Sequence, residues 1–397
     1  MALNQDLSVI TKGLSLKALV NFKNWSETSY TRNIKSNIYR VKDGSYNPET
    51  GEYDYQLLQT GDQFLSQSGI GRNSDQTFYF DARLDWKRSF GDHNLTAMAM
   101  YMMREYRSDV LPNRNQGYSG RVTYDYASKY LVEFNFGYNG SERLAAGQRF
   151  EFFPAVSAGW VASSEKFWEP ISKYINHFKI RGSYGLVGSD AFASGAPHFL
   201  YQNNIGIGSA HKFWTGLPTS EISKQGPGFY VLAVQDAGWE HVKKFDIGFD
   251  MMLFDQLNIT FDYFHDKRER ILMSRASWPS MLGYWGSKPW SNIGEVENQG
   301  FELSLNWTKQ FGKDLTLDLR GNFTYNQNEY KYVDEPNYPY VWQTNTGKPL
   351  NTVKGYIAEG LFASEEEIAN SPDQSQLGAN IMPGDIKYRD INGDGQI

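Results

Sequence analysis

Phe301-Glu302-Leu303-Ser304-Leu305-Asn306-Trp307-Thr308 is followed by a turn at Phe311-Gly312-Lys313-Asp314. The chain then resumes as Leu315-Thr316-Leu317-Asp318-Leu319-Arg320 and runs on to Phe323-Thr324-Tyr325-Asn326. These residues decide the fold. Successive side chains of a strand point to opposite faces, so each arm has one apolar face and one polar face. Phe301, Leu303, Leu305, Trp307, Leu315, Leu317 and Leu319 share the first; Glu302, Ser304, Asn306, Thr308, Asp318, Arg320 and Asn322 share the second. Alternation sustained this long, across so short a turn, is the pattern of a barrel wall with lipid outside and water inside.

The pattern recurs along the chain. Strands are expected at 13–23, 77–90, 95–108, 119–126, 130–139, 152–162, 177–187, 244–253, 257–268, 298–308 and 315–327. Short turns at Gly91-Asp92-His93-Asn94, Ala127-Ser128-Lys129, Phe254-Asp255-Gln256 and Gly312-Lys313-Asp314 alternate with longer connections at 24–76, 109–118, 140–151, 188–243, 269–297 and from 328 onward. The stretch 163–176 occupies a short-turn position but is longer, with room for a helical turn. Transmembrane barrels have short turns on one side of the membrane and long loops on the other. The expected fold is therefore all-β, an antiparallel transmembrane β-barrel with long extracellular loops, in one barrel unit over 1–397 whose last part, 328–397, is a loop region. A soluble β-rich glycan-binding or adhesin module is the competing class. It has no reason to keep this parity.

Composition narrows the chemistry. The 397 residues include 26 Tyr, 25 Phe and 11 Trp but no cysteine, which removes disulfides, thiolate metal sites and cysteine nucleophiles. The net charge of −6 arises from 39 basic and 45 acidic residues without a large single-sign block, so there is no nucleic-acid footprint. No apolar run approaches the ~20 residues of a membrane helix, whereas barrel strands need only about 10 alternating residues. The Met1-Ala2-Leu3-Asn4-Gln5 start lacks the basic and apolar regions of a signal peptide, and the Gly395-Gln396-Ile397 end falls inside a loop. Both ends read as truncations.

Catalytic constellations are thin. The six histidines show no H-E-x-x-H spacing, there is no G-x-S-x-G, and the glycine-rich Gly182–Gly188 stretch continues an alternating strand with no following helix. An enzyme is not expected. Two features carry other chemistry. Asp390-Ile391-Asn392-Gly393-Asp394-Gly395-Gln396-Ile397 matches the first eight positions of a calcium loop, in which Asp390, Asn392, Asp394 and the Gln396 carbonyl would supply hard oxygen ligands. The acid expected at the twelfth position lies past Ile397, so Ca²⁺ is a candidate only for a longer protein; an ordinary Asn-Gly/Asp-Gly turn is the alternative. The loops carry Trp214, Trp278, Tyr284, Trp285 and Trp290, flat aromatics suited to stacking on sugar rings, or to packing the loops together. Ser364-Glu365-Glu366-Glu367 is a capping box that opens a short helix over 365–370, stopped by Pro372.

Several blocks resemble SusC/RagA-type TonB-dependent outer-membrane transporters of Bacteroidota. They are Asn115-Gln116-Gly117-Tyr118-Ser119-Gly120-Arg121, Tyr130-Leu131-Val132-Glu133-Phe134-Asn135-Phe136, Phe153-Pro154-Ala155-Val156-Ser157-Ala158-Gly159-Trp160, Lys179-Ile180-Arg181-Gly182-Ser183-Tyr184-Gly185, Gly294-Glu295-Val296-Glu297-Asn298-Gln299-Gly300, and Pro383-Gly384-Asp385-Ile386-Lys387-Tyr388. The resemblance implies a 22-stranded barrel with a plug, of which this chain is about half. It also implies residence in the outer-membrane lipid, a SusD-like lipoprotein lid, energy from TonB-ExbB-ExbD through the plug, and oligosaccharide or peptide cargo. No plug or TonB box is found in the sequence, and half a barrel is not expected to transport alone. A passive porin is the remaining alternative.

Overall fold

The computed structural model describes residues 1–192, 196–215, 222–234, 236–279, 281, 288–378 and 380–397. In chain order the strands are β1 (Ala2–Asp6), β2 (Leu14–Asn33), β3 (Ile38–Val41), β4 (Tyr55–Gln59), β5 (Ser66–Phe90), β6 (His93–Arg107), β7 (Asn113–Tyr126), β8 (Tyr130–Ser141) and β9 (Phe150–Val161). They continue as β10 (Ile175–Ser189), β11 (Asn204–Thr215), β12 (Ile222–Val231), β13 (Glu240–Leu253), β14 (Leu257–Ser274), β15 (Trp290–Phe311), β16 (Leu315–Tyr332), β17 (Ala358–Leu361) and β18 (Ile386–Tyr388). Among the described residues, twelve of them form one antiparallel sheet in the order β1-β2-β5-β6-β7-β8-β9-β10-β13-β14-β15-β16. The other six make three two-stranded hairpins, β3–β4, β11–β12 and β17–β18, all within or after long connections.

All eleven expected strands are present, and β1 is an addition. The short turns fall where the sequence placed them. Ala127-Ser128 and Phe254-Asp255 take positive φ at both residues, from 51° to 56°, without glycine. Two left-handed residues give the mirror-image turn whose twist matches a hairpin. Gly312, with φ of 66°, serves the 312–314 turn. On the short-turn side, 162–174 does hold helical turns, two 3₁₀ segments at Ala162–Ser164 and Lys166–Ile171.

At the opposite ends the strands outrun expectation. β2 continues to Asn33, β5 begins at Ser66, β14 runs to Ser274, β15 starts at Trp290 and β16 ends at Tyr332. The register shows why. In-register ranks cross the wall: Ile247, Tyr263, Phe301 and Tyr325 form one, Phe245, His265, Gln299 and Gln327 the next, and Lys243, Lys267, Glu297 and Glu329 the one after. On this face the residues change together from apolar to charged. Elsewhere the change comes at Phe22/Asn24 on β2, Phe78/Gln76 on β5 and Met103/Glu105 on β6. Below it the apolar runs are roughly seven to eleven residues long, the length of a tilted transmembrane strand. Above it some strands continue for roughly 11 residues, about 36 Å of wall at 3.3 Å per residue, and ion pairs replace hydrocarbon contacts: Lys243–Glu269 at 2.6 Å, Lys267–Glu269 at 2.7 Å and Lys331–Glu297 at 2.6 Å. Period-two hydropathy is what a wall with apolar surroundings on one face and water on the other requires, and it ends at this boundary.

Within the apolar band the outer face is an aromatic ladder. Trp168 stacks on Phe178 at 5.2 Å, and the series proceeds through Phe249, Phe261, Phe301 and Phe323 at 5.6–6.0 Å. Cross-strand aromatic pairs at these separations add about 0.5–1 kcal/mol each beyond their burial.

Candidate functional site: the lumen wall and the rim loops

The inner face is built from the polar residues of the same alternation. Its centre is Arg181 on β10. The guanidinium reaches across β13 to Asp262 on β14, with Nη1 at 2.6 Å from Oδ1 and Nη2 donating to Oδ2 at 2.7 Å. It also donates from Nε to Asp250 at 3.2 Å and lies 3.6 Å from Asp246. Thr260 donates to Asp250 at 3.3 Å. Beside this hub lies a cavity of about 480 Å³ whose lining includes Thr123, Asp125, Glu133, Ser157, Lys179, Arg181 and Asp246. Arg121 extends the same surface, donating to Asn135 at 2.9 Å and pairing with Glu133 at 3.4 Å. Fixed, mutually paired charges suit a wet surface that passes or holds polar solutes.

The rim has a core of its own. Leu144, Phe153, Leu200, Val234, Ala237, Trp239 and Leu272 are buried together, with Leu186, Phe192, Ala196 and Trp290 packed against them. Phe153 meets Trp239 edge-on at 5.4 Å, and the Trp239 indole donates to the Arg149 carbonyl at 3.1 Å. The 190–239 connection is thus anchored at both ends. A polar latch helps: Asn115 donates to Asp190 at 2.6 Å, and Arg143 donates to the Asp190 carbonyl at 3.3 Å while lying over the Phe192 ring at 4.4 Å. Burial pushes the Arg143 guanidinium below its ordinary pKa, against the pull of Asp190.

Asp334 is the second anchor. Ser277 donates to it from its backbone N–H at 3.0 Å and from its hydroxyl at 2.8 Å, and Arg275 lies 3.3 Å away. Burial works to raise its carboxyl, but the Ser277 donors and Arg275 outweigh that and hold it below the usual carboxylate range. Glu335 next to it is raised by burial and lowered further by the N–H groups of Asn345 (2.8 Å) and Thr346 (3.1 Å), with a net depression.

The five loop aromatics do not form one described site. Trp290 opens β15 and packs on the rim core, a protein contact. Trp278 sits in the turn closed by its own N–H to the Arg275 carbonyl at 3.3 Å, directly after Ser277. Trp214 lies on β11 with its backbone opposite Ser223, and its side chain falls outside the described residues, as do Tyr284 and Trp285 altogether. The rim core and the Asp334 anchor escaped sequence reading because their residues lie in segments without period, where no local signal marks them.

At the end of the chain, the Asp390 carboxylate accepts from the N–H groups of Asn392 (3.1 Å), Gly393 (2.7 Å) and Gly395 (2.8 Å). The Gly395 N–H foremost, with its neighbours, holds the carboxyl below its ordinary range. Asn392 turns its amide N–H toward Asp394 at 2.7 Å and the Tyr340 hydroxyl at 2.9 Å, and the Gln396 N–H donates to Asp394. Among the described residues no group of three His, Cys, Asp or Glu is arranged to hold a metal. The loop is closed on its own backbone donors. The capping box is formed as expected: Ser364 accepts from the Glu367 N–H at 3.2 Å, opening α1 (Glu365–Ala369).

The family model described as "TonB dependent receptor-like, beta-barrel" matches residues 6–378. The chain belongs to this TonB-dependent receptor barrel family. It is an outer-membrane β-barrel protein segment, and the apolar band is its lipid face. Among curated receptors it is 28% identical over 385 residues to TonB-dependent receptor P3 of Formosa agariphila, covering 84% of this chain and 36% of that protein. It is 25% identical to TonB-dependent receptor SusC of Bacteroides thetaiotaomicron, over 95% of this chain and 35% of that one. The RagAB peptide importer in its open-open state superposes with a TM-score of 0.65 at 18% identity, covering 88% of this chain and 39% of the matched chain, which shows the shared fold. The chain spans about a third of the length of the curated receptors it matches.

Proposed function

We propose that this receptor segment is the lumen-bearing wall of an outer-membrane active importer. The observation that carries the reading is the division of one sheet into two chemically distinct faces. The outer face bears the Phe178–Phe323 aromatic ladder, and the inner face bears the ion-paired Arg181–Asp246–Asp250–Asp262 hub. A wall of this kind separates lipid from a polar path. The anchored rim loops above it would receive cargo, an oligosaccharide or a peptide, beneath a SusD-like lipoprotein. TonB-ExbB-ExbD would supply energy through a plug contributed from elsewhere in the protein. Trp278, in the turn after Ser277, and Trp290, at the start of β15, would lie beside cargo held at the rim.

Uptake in the native bacterium tests this. Deletion of the gene is expected to abolish accumulation of one class of labelled oligosaccharide or peptide, and an uncoupler is expected to do the same in the parent strain. Uptake that survives the uncoupler would instead identify a passive pore.

A further inference from the structure

Residues 162–174 join β9 to β10 on the short-turn side, where the other hairpins need only a few residues. The segment does not hang free beneath the wall. Trp168 lies flat on Phe178 at 5.2 Å with an interplanar angle of 8°, and its indole N–H donates to the Ile175 carbonyl at 3.0 Å. Phe167 approaches Trp160 at 6.1 Å. Phe178 and Trp160 both belong to the outer face: Phe178 is opposite Met251 on β13, and Trp160 is opposite Tyr130 and Ile180. Glu165 fixes the start of the segment, accepting from Tyr130 at 2.8 Å and from Lys129 at 3.3 Å. The 3₁₀ segment is therefore strapped over the lower end of the lipid face.

That position makes its remaining exposure informative. Phe167 is 62% exposed, Ile171 40% and Tyr174 51%, and Phe254 from the neighbouring turn, edge-on to Tyr174 at 6.0 Å, is 56% exposed. These residues continue the apolar band downward, off the strands and onto the strap. Lys166 and Lys173 bracket the patch, with Glu169 the acid between them, and the Lys173 ammonium lies 4.7 Å over the Tyr174 ring. Aromatic and aliphatic groups flanked by lysines are the composition of a segment lying in a membrane interface. The rings enter the headgroup–acyl boundary and the ammonium groups meet phosphate.

We infer that residues 162–174 are an interfacial anchor that seats Phe167, Ile171 and Tyr174 in the phospholipid leaflet on the short-turn side of the membrane. The inference rests on the barrel reading and adds a lipid-binding element to it. The strap lengthens the lipid contact of β9 and β10 beyond their strand ends and fixes the depth of the wall.

The test uses the full-length receptor in phosphatidylethanolamine–phosphatidylglycerol vesicles, carrying one nitroxide-labelled cysteine at a time. Phe167→Cys reports on the anchor, Ser128→Cys on an ordinary turn of the same side, and Ile247→Cys on the outer band. The expected result is access of a water-soluble nickel relaxant at position 167 that is roughly threefold or more below that at 128, with oxygen access approaching that at 247. Equal nickel access at 167 and 128, with 247 still shielded, would overturn the anchor and leave the barrel standing. Nickel access at 247 as well would overturn the barrel reading itself. If Phe167→Cys fails to assemble, Ile171→Cys probes the same surface with the same two outcomes.

Discussion

Arg181 and Asp262 form a two-point ion pair although their strands are not neighbours: β13 runs between them, and the residue directly beneath the bridge is Gly248, opposite both. A methyl group on Gly248 would run into the Asp262 carboxylate and the Phe261 carbonyl. The bridge therefore depends on a residue that takes no part in it. Gly248→Ala is expected to break the pair without removing a charge, and Arg181→Gln to leave Asp246, Asp250 and Asp262 mutually repelling. Each should cost about 1–3 kcal/mol, read as a lower unfolding midpoint of the folded barrel in detergent. Asp262→Asn in the Arg181→Gln background should recover part of the loss.

The two faces of the 301–308 strand respond oppositely to charge. Leu303 faces Phe261 and Phe323, and Ser304 faces Thr260 and Asn322. Leu303→Arg, between the band's edge at Phe301 and its middle, is expected to cost about 1–3 kcal/mol, whereas the same change at a lumen position is tolerated. Comparing the heat-modifiable folded fraction of Leu303→Arg and Ser304→Arg after assembly into outer membranes checks this.

Rim stability should depend on pH through Asp334 and Glu335. Both carboxyls titrate below their ordinary range when folded. Their contribution is complete above the ordinary carboxylate pKa of about 4, and it is lost as the pH falls through the depressed folded values. Amide exchange in 275–279 and 344–347 is expected to be flat from neutral pH down to that range, after correction for intrinsic rates, and to accelerate below it. In Asp334→Asn, the 275–279 response should already be present at neutral pH.

Leu272 belongs to the rim core and is 1% exposed, in one cluster with Leu200 and Trp239. Leu272→Ala should cost about 2–5 kcal/mol at a site this enclosed. The loss is local, so proteolysis within 190–239 is expected to increase while the barrel band keeps its protease resistance.

The lower half of the wall was legible in the sequence. At β7–β8 and β13–β14 the strand ends match the expected ones to the residue at the turns, because lipid on one face and water on the other enforce the alternation there. The upper half was not. Asn24–Asn33 of β2 are polar or exposed on both faces, so the same backbone pairing leaves no period to read. β1 is too short to show one, and β11–β12 forms a separate two-stranded sheet within the 190–239 connection. The site divides likewise. Arg181, Asp246 and Asp262 stand out as polar alternates, but Asp334 meets Ser277 from 57 positions away, and no local pattern anticipates that pairing. The Asp390 motif was visible because its parts are neighbours in sequence, and its carboxylate accepts from the N–H groups of the turn it closes.

The most direct test of the central claim is a nitroxide scan of positions 301–308 in the full-length receptor, reconstituted in phospholipid vesicles. Oxygen access should peak at 301, 303, 305 and 307, and access of a water-soluble relaxant should peak at 302, 304, 306 and 308. That period-two opposition is the signature of a wall between lipid and a wet lumen. Uniform aqueous access at all eight positions would contradict it.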